Sequence, residues 1–157
     1  MAYSDFNEQK YILITDTSTV NKMGSVVFDS PIELEHMRLE LYKHGTEAGT
    51  EQFRVNIYSD PDYSTVYAQS ATVDIADIVG LSTYWIGWVR FDFAGLPVLG
   101  NNRNRFYIGL EPVTYTRNAD TFYIGAGADW FPSVNTVGSG VGAYMEFYER
   151  AVSDVCG

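Results

Sequence analysis

Apolar and polar residues alternate with a period of two along most of this chain, the pattern of half-buried strands. Phe53, Val55 and Ile57 alternate with Arg54, Asn56 and Tyr58. Val89, Phe91 and Phe93 share a face opposite Arg90 and Asp92, and Phe106, Ile108 and Leu110 alternate with Tyr107, Gly109 and Glu111. Phe122, Ile124 and Ala126 repeat the pattern, and Ala143, Met145 and Phe147 oppose Tyr144, Glu146 and Tyr148. Shorter β-branched runs at 11–15 and 24–29, and a further strand over 67–73, complete the set. Between them lie turn segments: 43–52 and 95–104 with glycines, 59–65 with Asp60-Pro61, and the Gly/Ser-rich stretch 127–142.

Residues 32–43 are the one ambiguous segment. Leu34, Met37 and Leu41 fit helical spacing, yet everything downstream alternates, which favours a strand. Ile32 and Leu34 fall on even positions while Met37, Leu39 and Leu41 fall on odd ones, so a strand here needs a bulge near Glu35-His36. The sum is about nine short strands and no convincing helix. That pattern predicts an all-β fold, an antiparallel β-sandwich of the jelly-roll type. Val55, Ile57, Val89, Phe91, Phe106, Ile108, Phe122 and Ile124 are expected in one core between the two sheets. Residues 1–10 read as a polar N-terminal arm, 11–150 as the sandwich and 151–157 as a C-terminal tail.

Charge narrows the range of partners. Ten basic against twenty acidic side chains give a formal net charge of −10. Such a surface repels phosphates, which disfavours nucleic acid and anionic membranes as partners. The single cysteine, Cys156, rules out an intramolecular disulfide and any cysteine-rich metal site. The first ten residues have no basic or apolar signal region, so synthesis and folding in a reducing cytoplasm are expected.

Candidate chemistry is sparse. His36 lies at the expected bulge and His44 at the start of a turn, and neither belongs to a nucleophile, metalloprotease or phosphate-loop motif. Asp60/Asp62 and Asp74/Asp77 are carboxylate pairs, but both occupy turn-like segments where aspartate bonds the backbone. Asp29, Asp60, Asp62 and Asp129 could in principle offer oxygen ligands, but they do not form a calcium-loop run. No catalytic residue, metal or cofactor is expected.

The aromatics are more telling. Phe91, Phe93, Phe106, Phe122 and Phe147 occupy the inward register. Tyr58, Tyr107, Tyr123, Tyr144 and Tyr148 occupy the opposite one and are expected to face outward. Tyr84 and Trp85 are placed in a long connection, and Tyr115, Trp130 and Phe131 in loops or at strand ends. Tyr84, Trp85, Tyr115, Tyr123, Trp130 and Phe131 are therefore the candidates for a protein interface or a sugar-stacking surface. Cross-strand pairing is the alternative use of outward rings.

The succession 39–60 (LELYKHGTEAGTEQFRVNIYSD), 88–112 (WVRFDFAGLPVLGNNRNRFYIGLEP) and 122–130 (FYIGAGADW) resembles carbohydrate-binding-module-like jelly rolls of bacterial surface proteins and phage structural proteins. The likeness covers about residues 34–148. A small acidic member without a secretion signal is expected to be a phage virion structural protein, located in the virion after synthesis in the host cytoplasm. The resemblance implies an outer capsid decoration or fibre-type subunit. Its partners would be the major capsid protein or another virion protein, and further copies of itself in a homo-oligomer. The alternative it implies is a module that recognises a host glycan through loop aromatics. Assembly predicts a sizeable apolar patch or an ordered arm, whereas glycan binding predicts a groove with one or two bare aromatics beside polar groups.

Overall fold

The computed structural model describes residues 9–14, 20–45, 51–74, 84–115, 120–127, 142–143 and 145–150. One sheet contains β1 (Gln9–Leu13), β3 (Ile32–Gly45), β7 (Tyr84–Asp92) and β10 (Asp120–Gly127), in the order β1-β10-β3-β7. The other contains β2 (Asn21–Val27), β4 (Gln52–Tyr58), β5 (Val66–Gln69) and β9 (Arg105–Thr114), in the order β2-β9-β4-β5. Every pairing is antiparallel. Among these eight strands the chain passes from one sheet to the other at every step except from β4 to β5. Two interleaved orders of this kind make a jelly roll, the architecture expected from the sequence. Short strands fill its margins: β6 (Val73–Asp74) on β4, β8 (Val98–Leu99) on the start of β3, and β11 (Gly142–Ala143) on β10. The last strand, β12 (Met145–Glu149), pairs with the first half of β3, while β10 pairs with its second half.

β3 is a strand throughout, and its change of register is where the sequence requires it. Tyr148 pairs with His36 and Glu149 with Leu34, leaving Glu35 as the extra residue of a bulge. Ile32 and Leu34 before the bulge, and Met37, Leu39 and Leu41 after it, are therefore all buried on the same face. The odd register runs on to Lys43, whose side chain is fully buried and has an interaction partner. A charged group at such a position requires one.

The core joins both sheets. Leu39, Leu41, Val89, Phe91 and Ile124 from the first meet Val55, Ile57, Ile108 and Leu110 from the second, and Phe106 and Phe93 close the ends. Phe28 and Phe147 meet edge to face with centroids 5.3 Å apart, tying the end of β2 to β12. Of the eight expected core residues, seven are buried; the side chain of Phe122 lies outside those described.

Several local expectations are corrected. Gln9 and Lys10 belong to β1 rather than to an arm, because they pair with Gly127 and Ala126. His44 does not open a turn; it is a β3 residue between Thr121 and Tyr84. The strand expected over 67–73 is split into β5 and β6. Ser70 occupies the break, donating its N–H to the carbonyl of Val55 while its hydroxyl accepts the N–H of Val55, both at 2.9 Å. A side-chain oxygen thus replaces a ladder carbonyl where the edge strand is interrupted. Tyr58 is on the outer face as expected but is only 3% exposed, and its neighbour Asn56 is 2% exposed.

Candidate functional site

Those two buried outer-face residues show how the second sheet is covered. Asn56 donates from Nδ2 to the Tyr58 hydroxyl at 2.9 Å and to Glu111 at 2.8 Å, and Arg54 donates to the same Glu111 oxygen at 2.8 Å. Arg54 holds the Glu111 carboxyl below its ordinary value, with Asn56 helping, while burial pushes the Tyr58 phenol up. Tyr63, from the 59–65 turn, folds back over this layer. Its ring lies 5.2 Å from Tyr58 and 5.8 Å from Tyr107, and its hydroxyl donates to the Gly24 carbonyl at 3.2 Å. Gly109, paired with Asn56, leaves the space for this: an added Cβ would lie 2.7 Å from Val20 and 3.2 Å from the Tyr58 ring. The layer is a consolidated cover and not an open surface.

On the outer face of the first sheet, His36 stacks on Tyr148 at 4.4 Å and 11°. Arg38 donates to the Tyr148 hydroxyl at 3.2 Å, and that hydroxyl donates to Glu146 at 2.7 Å. The Arg38 guanidinium also lies 5.5 Å from the centre of the Trp88 ring. His36 is thus a packed outer-face residue beside the bulge, with Glu35 2.9 Å from its Nδ1. These are cross-strand contacts of the kind that hold a sheet face together.

An open groove lies at one end of the second sheet among the described residues. Ser59 after β4, Tyr67 in β5, Val98 in β8, Asn101 and Asn104 around a 3-10 turn (Asn101–Arg103), and Arg105 and Phe106 at the start of β9 line a groove of about 530 Å³. Tyr67 is 45% exposed, and with Val66 at 46% it makes the large apolar exposure among the described residues. The Tyr67 ring is held in place: it leans on Phe106 at 5.0 Å, and its hydroxyl donates to the Val98 carbonyl at 2.6 Å. The ring is thus anchored at Phe106 and Val98 while nearly half of the residue is left to solvent.

Both walls of the groove are shaped by constrained backbone. On one side the Asp60 carboxylate accepts from the Ser64 hydroxyl at 2.6 Å and from the Thr65 N–H at 2.7 Å, closing the turn that leads into β5. These bonds hold the Asp60 carboxyl below its ordinary value. For Asp60 this is the backbone-bonding role that the sequence suggests. On the other side Gly100 has φ 97°, where an added Cβ would lie 2.9 Å from both Phe28 and the Ser30 carbonyl. Asn102 and Arg103 follow at φ 57° and 56°, left-handed values that cost a non-glycine residue on the order of 1–2 kcal/mol. Strain of this sort is kept where the fold needs a particular presentation of side chains. Here it puts Asn101 and Asn104 on the same groove as Tyr67.

Chemically, the lining offers a fixed aromatic face, two carboxamides, a hydroxyl and a guanidinium. The lining has, among the described residues, no carboxylate and no histidine. Among the described residues no three His, Cys, Asp or Glu side chains are grouped to hold a metal ion. Of the aspartates considered as oxygen ligands, Asp29 is 3.4 Å from Arg103, Asp60 is used in its turn, and Asp129 lies outside the described residues.

Of the candidates chosen from sequence, Tyr115 is the one whose side chain is described. Tyr115 is 2% exposed and packs on Phe53 at 5.5 Å, so it is a core residue and not a surface one. Tyr84 and Trp85 are strand residues of β7 opposite His44 and Lys43, not part of a connection. Tyr123 lies in β10 between Leu13 and Tyr42. The side chains of Tyr84, Trp85 and Tyr123, and all of Trp130 and Phe131, lie outside the described residues. The residues that form the groove, Tyr67, Asn101, Asn104 and Arg105, were not singled out by sequence reasoning. The amide-rich run 101–105 (NNRNR), beside a glycine, was the available signal.

No protein family model, no curated protein and no solved structure matches this chain.

Proposed function

We propose that this protein is a non-catalytic recognition module that binds a saccharide in the groove over Tyr67. The observation that supports it is the half-exposed Tyr67 ring, locked by Phe106 and Val98 and flanked by Asn101 and Asn104. A pyranose has a flat patch of C–H groups that stacks on such a ring, while its ring hydroxyls need donors and acceptors at the edge. Carboxamides supply both. Because the tyrosine is fixed before binding, little rotamer freedom is lost when the sugar arrives. A half-exposed aromatic beside carboxamides supports the glycan reading. Binding of the protein to a panel of immobilised polysaccharides tests it. Tyr67→Ala should abolish retention on whichever polysaccharide is bound, and Tyr67→Phe should keep most of it. Equal retention of the wild type and Tyr67→Ala would overturn the assignment of the site.

A second reading, compatible with the first, is that the module is a phage virion structural subunit of decoration or fibre type, working in a homo-oligomer or on the capsid protein. One observation favours an assembled state. The nine-residue strand β7 pairs, among the described residues, with β3 alone, and its far edge receives just the Ala71 N–H at the Asp92 carbonyl. A long edge strand is a template for pairing with another chain. Sedimentation of the purified protein, alone and with capsid shells, checks this; a strict monomer that never co-sediments refutes it.

A further inference from the structure

We infer that the groove is selective for a saccharide bearing a negative charge, and that Arg105 is the residue that selects it. The inference rests on the saccharide reading of the groove and adds the class of sugar.

It starts from a comparison of the arginines. Arg38 is paired with Glu146, Arg54 with Glu111, Arg90 with Asp92 and Glu35, Arg103 with Asp29, and Arg150 with Glu33. Arg105 differs. Its Nη1 donates to the Ser25 hydroxyl at 2.9 Å, and among the described residues no carboxylate stands within ion-pair distance of it. In a chain with twenty acidic and ten basic residues, Arg105 thus keeps a charge that no described carboxylate neutralises. Arg105 lines the groove together with Tyr67, Asn101 and Asn104.

The surroundings keep that charge available. Asp60, adjacent to the groove residue Ser59, directs its carboxylate into its own turn, where Ser64 and Thr65 occupy it. Asp29 is engaged by Arg103 on the neighbouring side of the 3-10 turn. Among the described residues the groove lining has a cation and no anion. The Ser25 bond fixes one nitrogen of the guanidinium, and the remaining N–H donors suit a carboxylate or a sulfate-type oxyanion. The overall charge of −10 does not cancel this locally, because charges more than about 8 Å away are largely screened at physiological salt.

The test uses the whole chain and two matched pairs of probes: oligogalacturonate with its fully methyl-esterified form, and dextran sulfate with dextran. Affinities are measured by calorimetry at low and high salt for the wild type, Arg105→Gln and Tyr67→Ala, each checked for an unchanged far-ultraviolet circular dichroism spectrum. The wild type should bind at least one acidic probe about tenfold or more tightly than its neutral counterpart, a gap of about 1.4 kcal/mol. That gap should shrink at high salt, and Arg105→Gln should reduce it to within about twofold, by loss of the charge-assisted bond. Either acidic pair alone satisfies the inference, and it also names the anion. Equal binding of the acidic and neutral probes, lost in Tyr67→Ala, would overturn charge selection and leave the saccharide reading intact. A preference that survives Arg105→Gln would overturn the role of Arg105. Binding of none of the probes, or binding unaffected by Tyr67→Ala, would remove the saccharide reading and this inference with it.

Discussion

Phe91 and Arg90 are consecutive residues of β7 that face opposite ways, and truncating each in turn measures how far the fold depends on that alternation. Phe91 is fully buried, pairs with Met37 across the β3–β7 ladder and belongs to the core that joins the sheets. Phe91→Ala removes a whole ring from a site enclosed on all sides, so the lost transfer free energy and the residual cavity act together. The expected destabilisation is about 3–5 kcal/mol. In a domain of this size each kcal/mol moves the melting temperature by about 2–4 °C, so Tm should fall by about 6–20 °C. Arg90 is mostly exposed and reaches Asp92 and Glu35, both also largely exposed. Surface pairs of this kind contribute little, because water and salt screen them, so Arg90→Ala should shift Tm by no more than a few degrees. Urea unfolding of both variants gives the comparison directly, with an unchanged m-value as the check that the difference is one of stability. A Phe91→Ala variant within about 1 kcal/mol of wild type, or an Arg90→Ala variant that loses more than Phe91→Ala, would refute the assignment of faces.

Three further outcomes follow from the geometry. Gly109→Ala should destabilise by about 1–3 kcal/mol, because its Cβ would run into Val20 and the Tyr58 ring, and thermal melts of the double variant with Tyr58→Ala should show partial relief. The Glu111 carboxyl is held below its ordinary value of 4.5, so its contribution is present above that pH and is lost as pH falls through the lower folded-state value. Tm of the wild type should therefore drop more steeply than that of Glu111→Gln as acid is added below about pH 5, and parallel curves would refute the Arg54–Glu111–Asn56 account. Chelator should leave Tm nearly unchanged; a fall of more than about 10 °C restored by calcium would reveal a metal site the described carboxylates do not form.

The sequence by itself determined which face of each long strand turns inward, because side-chain direction in a strand has a period of two and needs no knowledge of the neighbour. It also located the bulge: Leu34 and Met37 cannot both reach the core from an unbroken strand, and Glu35 is the residue the ladder leaves unpaired. The partners of each strand, and so the site, were decided by the tertiary structure. Asn56 and Tyr58 read as exposed because alternation says nothing about what covers an outer face; Tyr63 covers Tyr58, and Gly109 makes room for its ring. Tyr115 read as a loop aromatic, yet it closes on Phe53 once β9 is in place. Tyr67 and Arg105 stand far apart in the chain and meet because β4 lies between β5 and β9, which brings the 59–65 turn and the 3-10 turn to the same end of the sheet. A local pattern carries the register of a strand, but a groove built from three separate segments exists only after the sheet has closed.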